Sequence, residues 1–354
     1  MSHSVINTTA AIKFQNGTVG NRTSPAPCPG ITPAEWMEIQ LPTIALSFTM
    51  ITAQVFNLII FALWRNKEPY IFLHICLAVA SLLAGLSVAS SIPLRFVART
   101  PVNIFVNQLL GIALLLYAHS ASILANFAIS LDRWLSVEFA IWYRTTISQR
   151  KALLVGIIST FVLPLVLAVP KFVVYWEDMT WTPCTGLKHF SPKGIGAEIS
   201  EAMIGPIYLP LLFLSQMRIL VIATRHQLRR YQHAQRPAGV GPVAVLPVCL
   251  VVGIVWSSFL GSMAIVFLGL ISHVPRYLQS MLVQHSIIRV SVSSGRLTLY
   301  ITFIQHCASP VIYLFFWHNY RNAVLRFVRQ LRAVVAPHPG LAMHPIISNQ
   351  PKRR

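Results

Sequence analysis

The stretch Ser130-Leu131-Asp132-Arg133-Trp134-Leu135-Ser136-Val137-Glu138-Phe139-Ala140-Ile141-Trp142-Tyr143-Arg144 decides how the rest of this chain is read. It closes a long apolar segment with an acid and a base side by side, adds an aromatic, and ends on a Tyr-Arg pair. Charged side chains at the foot of an apolar span are costly to place and usually serve a role. A helix that simply ends in interfacial charge is the plain alternative, and the surroundings have to decide between the two.

Those surroundings are apolar. Of 354 residues, 55% are hydrophobic and only 10% charged, which is too apolar for a water-soluble domain of that length. Runs of roughly twenty apolar residues recur, each long enough to cross about 30 Å of hydrocarbon. The formal net charge of +19 sits in short basic clusters between those runs, without the basic face of a nucleic-acid module. No nucleic-acid partner is expected. The 5 cysteines show neither zinc-ligand spacing nor a disulfide framework, and no metal or cofactor is expected.

Residues 1–40 are polar and carry Asn-x-Thr sequons at Asn7, Asn16 and Asn21, the pattern of a glycosylated extracellular tail. No apolar segment precedes them, so the first span is expected to act as its own signal anchor. Apolar spans follow near 41–64, 70–94, 103–132, 152–175, 198–223, 243–271 and 297–317. The expected architecture is an all-α membrane protein, a seven-transmembrane helix bundle over 41–317. Pro164, Pro170, Pro206 and Pro210 interrupt the fourth and fifth spans, where kinks are tolerated. Residues 318–332 read as a short amphipathic surface helix. Tyr320, Val324, Leu325, Val328 and Leu331 share one face, and Arg321, Arg326, Arg329 and Arg332 meet anionic headgroups of membrane lipids. Residues 333–354 form a short basic cytoplasmic tail.

Charge sets the orientation. With the first tail outside, the inner segments hold Arg65 and Lys67, then Arg133, Arg144, Arg150 and Lys151, then Arg218, Arg225, Arg229, Arg230 and Arg236. Of the acids, only Glu68, Asp132 and Glu138 fall on that side. The positive-inside rule and the sequons agree on an extracellular amino terminus and a cytoplasmic carboxyl terminus in the cell membrane.

Spans in this order, with Asp132-Arg133-Trp134 at the inner end of the third, resemble the rhodopsin-like G-protein-coupled receptors. Asn57 in span one, Leu77-Ala78-Val79-Ala80-Ser81 in span two and Trp256 in span six fall in the family's order. So do Ser309-Pro310-Val311-Ile312-Tyr313 at the end of span seven and the following Tyr320-Arg321. The resemblance covers residues 40–332. It implies that Asp132 holds Arg133 at rest and that Arg133, always charged and rich in donors, swings out to meet a heterotrimeric G protein. It implies that Tyr313, beside Pro310, rotates to hold the open state, and that Trp256 lies beneath a ligand pocket.

Departures from the family pattern carry expectations of their own. Ser81 and Ser309 stand where the family has Asp and Asn, so oxygens remain but no negative charge, and the sodium site is expected to be lost. Residues 202–354 contain no Asp or Glu, leaving Asp132 and Glu138 as partners for Arg133 and pointing to agonist-independent activity. Ser258 replaces the proline two residues beyond Trp256, with Gly253 and Gly261 as sources of flexibility instead. Gln108 stands where the family's disulfide cysteine belongs at the top of span three. The resemblance then leaves Cys28 and Cys184 as the extracellular pair, with free thiols as the alternative.

By the same correspondence Leu115 replaces the carboxylate that holds amines. Leu115, Leu116, His119, Phe259, Leu299 and Phe303 line a mostly apolar pocket, with Arg95, Arg99, Arg276, Arg289 and above all Arg296 at its rim. An extracellular ligand with an anionic head and an apolar body suits that lining. Solvated loop charge is the alternative for the arginines, and a hydrogen-bonded core position for His119 and His306. Hydroxyls are scarce on the inner segments, with Ser348 alone after Pro310, so arrestin recruitment is expected to be weak. No paired carboxylates or Ser/His constellation lies at depth, so enzymatic activity is not expected. The competing readings are a non-signalling seven-helix decoy or heteromer partner and, behind it, a transporter, though no internal repeat or mid-span acid supports the latter.

Overall fold

The computed structural model describes residues 33–64, 67–94, 100–174, 207–234, 245–284 and 292–335, and among them the chain is helical with no strand. The elements are α1 (Pro33–Leu63), α2 (Pro69–Leu94), α3 (Pro101–Asn107), α4 (Leu114–Glu138), α5 (Ala140–Thr146), α6 (Gln149–Ile157), α7 (Leu163–Val174), α8 (Leu209–Ala234), α9 (Val245–Gln284), α10 (Val292–Phe316) and α11 (His318–Val335). Pi-helical turns at Gln108–Ala113 and Ile158–Val162 carry α3 into α4 and α6 into α7. The first three helices begin on Pro33, Pro69 and Pro101, where a missing N–H costs nothing and the fixed φ suits the first turn.

There are 6 helical stretches among the described residues long and apolar enough to cross a membrane: Gln40–Leu63, Pro69–Leu94, Val102–Glu138, Gln149–Leu167, Phe259–Gln279 and Leu297–Phe316. The expected fifth span, 198–223, corresponds to the shorter apolar stretch Leu209–Ile222 of α8. Its earlier part, with Pro206, lies outside the described residues. So do Asn7, Asn16, Asn21, Cys28, Arg95, Arg99, Cys184, Arg289 and the tail from residue 336.

α1 packs on α2 and α10, and α4 on α2, α8 and α9. Small buried residues line these seams, among them Ala78, Ala80, Ala84, Ala118, Ala121, Ala125 and Ala128, letting backbones approach closely without a hydrophobic drive between helices. Large apolar side chains such as Phe48, Val166, Leu214 and Phe315 are more than half exposed on the outside of the bundle. In water that surface would be a liability; against hydrocarbon it is the expected face.

Two expectations about helix register change. The apolar run at 243–271 belongs to a helix that continues to Gln284. It packs closely at two glycines: a Cβ on Gly261 would overlap Trp317 Nε1, and one on Gly269 would stand 2.6 Å from Asn126 Nδ2. Gly261 therefore serves close approach rather than flexibility. α11 buries Tyr320 and Ala323 with Val324 and Phe327 packed beside them, and Phe327 meets Phe56 edge-on at 6.3 Å. Leu325 and Leu331, expected on that face, are exposed, as are Arg321, Arg329 and Arg332.

Candidate functional site at the Arg133 end of the bundle

α4 ends by delivering Asp132 and Arg133 into the bundle, each 8% exposed. Arg133 donates to Asp132 Oδ2 from Nη2 at 2.5 Å and from Nε at 3.0 Å. Its guanidinium carbon also lies over the Tyr70 ring of α2, 4.0 Å from the centroid, a contact worth about 0.5–2 kcal/mol. The other carboxylate oxygen of Asp132 accepts from the Tyr143 hydroxyl of α5 at 2.5 Å. Burial and the neighbouring carboxylate push the Tyr143 phenol well above its ordinary pKa, so it stays a donor at any physiological pH. Glu138, the second expected partner of Arg133, pairs instead with the exposed Arg218 of α8 at 3.1 Å. Such an exposed pair contributes little.

Next to this pair stands a cluster that the sequence did not announce. Trp317, fully buried, stacks on Tyr313 at 4.5 Å and meets His74, Tyr70, Trp64 and Phe61 edge-on or tilted. His74 Nδ1 lies 2.9 Å from the Tyr313 hydroxyl and Nε2 3.2 Å from Ser262 Oγ. One imidazole thereby joins α2 to α9 and α10 within reach of Arg133. Trp134 packs on Phe259, Ile219 and Met263, with Phe139 at 6.1 Å.

Behind Tyr313, a neutral network runs from α1 to α11. Ser309 Oγ accepts from Gln54 Nε2 and from Asn57 Nδ2, each at 3.0 Å, and the Tyr320 hydroxyl donates to Asn57 Oδ1 at 2.6 Å. Gln54 also donates to the His306 carbonyl. Ser81 is held by His306 Nδ1 at 2.8 Å. Both serines at the expected lost sodium site therefore already have protein partners. Pro310 is buried within α10 beside them.

Further along the bundle, Leu115 and Leu299 pack on a cluster of Met50, Val88 and Phe303, and His119 stacks on Phe303 at 5.9 Å. These four expected pocket residues come together. Phe259 does not join them: it sits with Trp134, at the Arg133 end. Trp256 lies one helical turn before Phe259, and thus still farther from that level. From α9 it is His273 that reaches this level, with its ring 5.9 Å from that of His119. Pro275 follows it by two residues, the spacing at which a proline was missing after Trp256. The side chains of Trp256 and Arg296 lie outside the described residues, as Arg296 falls in the first turns of α10.

His74, Tyr143, Trp317 and Gln54 were missed. Each is an uncharged residue in an apolar or amphipathic run, and only the distant partner reveals its use. A buried His on α2 facing a Tyr at the end of α10 was the one readable hint.

No family model matches the chain. Over 211 residues it is 26% identical to dopamine receptor 4 of Caenorhabditis elegans, a match covering 54% of this chain and 38% of that protein. The chain is thus similar to a receptor over about half its length, and the match spans well under half of the relative.

Proposed function

We propose that the protein is a rhodopsin-like G-protein-coupled receptor, a seven-helix bundle with its amino terminus outside the cell. In this reading α8 is the fifth span and α11 lies along the inner membrane surface, as its arginines favour. The observation that carries the reading is the Arg133 site: a guanidinium buried at the end of α4 and held by Asp132, with a tyrosine clasp and the α2–α9–α10 tie around it. Its neighbours can let go, because among the described residues only Asp132 holds Arg133 by charge. Swinging outward, Arg133 would meet the G protein. The similarity to a receptor adds weight. A screen of G-protein activation in membranes, wild type against Arg133→Ala, tests it; equal output from both favours the decoy reading, in which the fold is kept and coupling is absent.

The relative's name carries an amine, yet an amine is a poor ligand here. Leu115 lies in an apolar cluster, and residues 202–354 offer no carboxylate. An amphiphile with an anionic head fits better, the rim arginines and Arg296 being one seat for its head. Sodium is not a modulator in this reading: Ser309 accepts from two amide donors and Ser81 is taken by His306. Replacing sodium by choline is expected to leave ligand affinity unchanged.

Agonist-independent output above that of mock-transfected cells follows from the single ion pair at Arg133, and arrestin recruitment stays weak for want of inner hydroxyls. A Cys28–Cys184 bridge folding the tail over the pocket, and glycans at Asn7, Asn16 and Asn21, complete the proposal. A mass shift on glycosidase treatment and a non-reducing peptide map test these two.

A further inference from the structure

Midway along the bundle lies a polar core that the Arg133 machinery does not use. His119 of α4, His273 of α9 and His306 of α10 surround one point, with ring centroids 5.9, 5.7 and 6.3 Å apart. His306 Nδ1 is committed to Ser81. Both ring nitrogens of His119, and Nε2 of His273 and of His306, are enclosed and meet no protein partner. The amide oxygen and nitrogen of Asn126 are likewise without a protein partner, and Gln305, beside His306, has His273 within reach. Asn126 is 0%, Gln305 1%, His273 4% and His306 0% exposed. Enclosed polar groups in a folded core are normally answered by something, and here the protein does not answer them.

The identity of the missing partner follows from what faces the site. α1 contributes the neutral Gln54, α2 Ser81, α4 His119 and Asn126, and α10 Gln305 and His306. α9 contributes His273 and, one turn further on, Arg276. None of these groups is a carboxylate, and no ion pair to Arg276 occurs among the described residues. Also among the described residues, no group of His, Cys, Asp or Glu is arranged to hold a metal ion. The core therefore offers donors and a nearby positive charge, and lacks an anion. Its neighbours Met50, Val88, Leu115, Leu299 and Phe303 form an apolar wall, joined to the core by the stack of His119 on Phe303.

We propose that this imidazole core seats the acid group of an anionic amphiphile, and that binding takes up one proton on the histidine cluster. The inference rests on the reading of the ligand given above and sharpens it: the head group goes to depth, and the chain lies along Leu115, Leu299 and Phe303. Charge balances, since an anion and a proton enter together. A buried imidazolium alone would be an unpaired charge, and the acid group supplies its partner. A proton taken up on binding makes affinity rise as pH falls, by up to tenfold per unit wherever the bound state holds the proton and the free state does not.

The test uses the full chain in lipid nanodiscs, with octanoate and octane-1-sulfonate as probes and octanol and octylamine as controls. The sulfonate keeps its charge throughout, so any pH dependence belongs to the protein. Both anions are expected to bind at least tenfold more tightly at pH 6 than at pH 8, while octanol and octylamine do not. His273→Gln and His306→Gln are expected to flatten the pH dependence. The wild-type comparison of pH values stands even if a variant fails to fold. Sulfonate affinity that is equal at the two pH values, or no better than that of octanol, overturns the proposal. If binding is flat with pH and lost in Arg296→Gln, the head sits at the rim, so the amphiphile reading survives and this one fails. If neither anion binds while Arg133-dependent G-protein activation persists, this inference fails and the receptor reading stands.

Discussion

The two polar regions of this bundle are built on opposite terms. At the Arg133 end the buried charges are answered: Arg133 by Asp132 and the Tyr70 ring, and the second oxygen of Asp132 by Tyr143, while the rim acid Glu138 pairs with Arg218. Halfway along, His119, Asn126, His273 and His306 hold enclosed polar atoms without protein partners. The first region is closed on itself and must be pulled apart to act. The second is incomplete and waits for an occupant. In the proposed receptor both would be used, because a ligand shifts an equilibrium only through a site that it completes better in one state than in another.

The largest effect that sharpens this comparison is at Arg133. Arg133→Ala is expected to lower G-protein activation at least tenfold, read as nucleotide exchange in membranes, while the polar core keeps its probe binding. If activation persists, the closed end is structural and the contrast is false.

Asn57→Leu comes next. It removes one of the two donors to Ser309 and the acceptor of Tyr320, leaving the Tyr320 hydroxyl stranded inside the bundle. A loss of about 2–3 kcal/mol is expected, seen as a fall of several degrees in the melting temperature of the detergent-solubilised protein. Unchanged melting would mean that water replaces the network freely.

Smaller changes loosen the closed end without emptying it. Tyr143→Phe removes the hydrogen bond to Asp132, and His74→Leu the tie to Tyr313 and Ser262. Each is expected to shift the resting balance by about 1 kcal/mol, hence to raise the ratio of active to resting protein roughly fivefold. Basal messenger output in transfected cells reads it, and unchanged or lower output for both variants counts against the clasp.

The smallest effect belongs to Arg218→Gln. Its pair with Glu138 is exposed, so neither melting temperature nor basal output should move measurably at physiological salt. A clear change would show that the charged rim of this end matters as much as its interior.

How much of this could be read from residues alone varies along the chain. Asp132-Arg133, Asn57, Pro310 and Tyr313 were legible because charged or amide groups, or a proline, are conspicuous in apolar runs. Leu115, Leu299, Phe303 and His119, grouped by position along their spans, pack in one region of the bundle. Phe259 packs with Trp134, Ile219 and Met263 instead, since spacing along one helix does not show its register against its neighbours. His273 escaped for the same reason.

Sequence by itself determined that this is a helical chain with long apolar spans, since roughly twenty apolar residues can satisfy their backbone in hydrocarbon only as helix. It also determined that an acid-base pair would end the third span. Only the tertiary structure decided which residues meet. A one-dimensional apolar run carries no mark of its depth, and the depth of α9 is set where Gly261 lets Trp317 approach and Gly269 lets Asn126 approach. That contact places His273 beside His119 and His306 and leaves Phe259 beside Trp134. The polar core is thus a product of helix register, which depends on side-chain volume at two glycines rather than on the hydropathy of the segment.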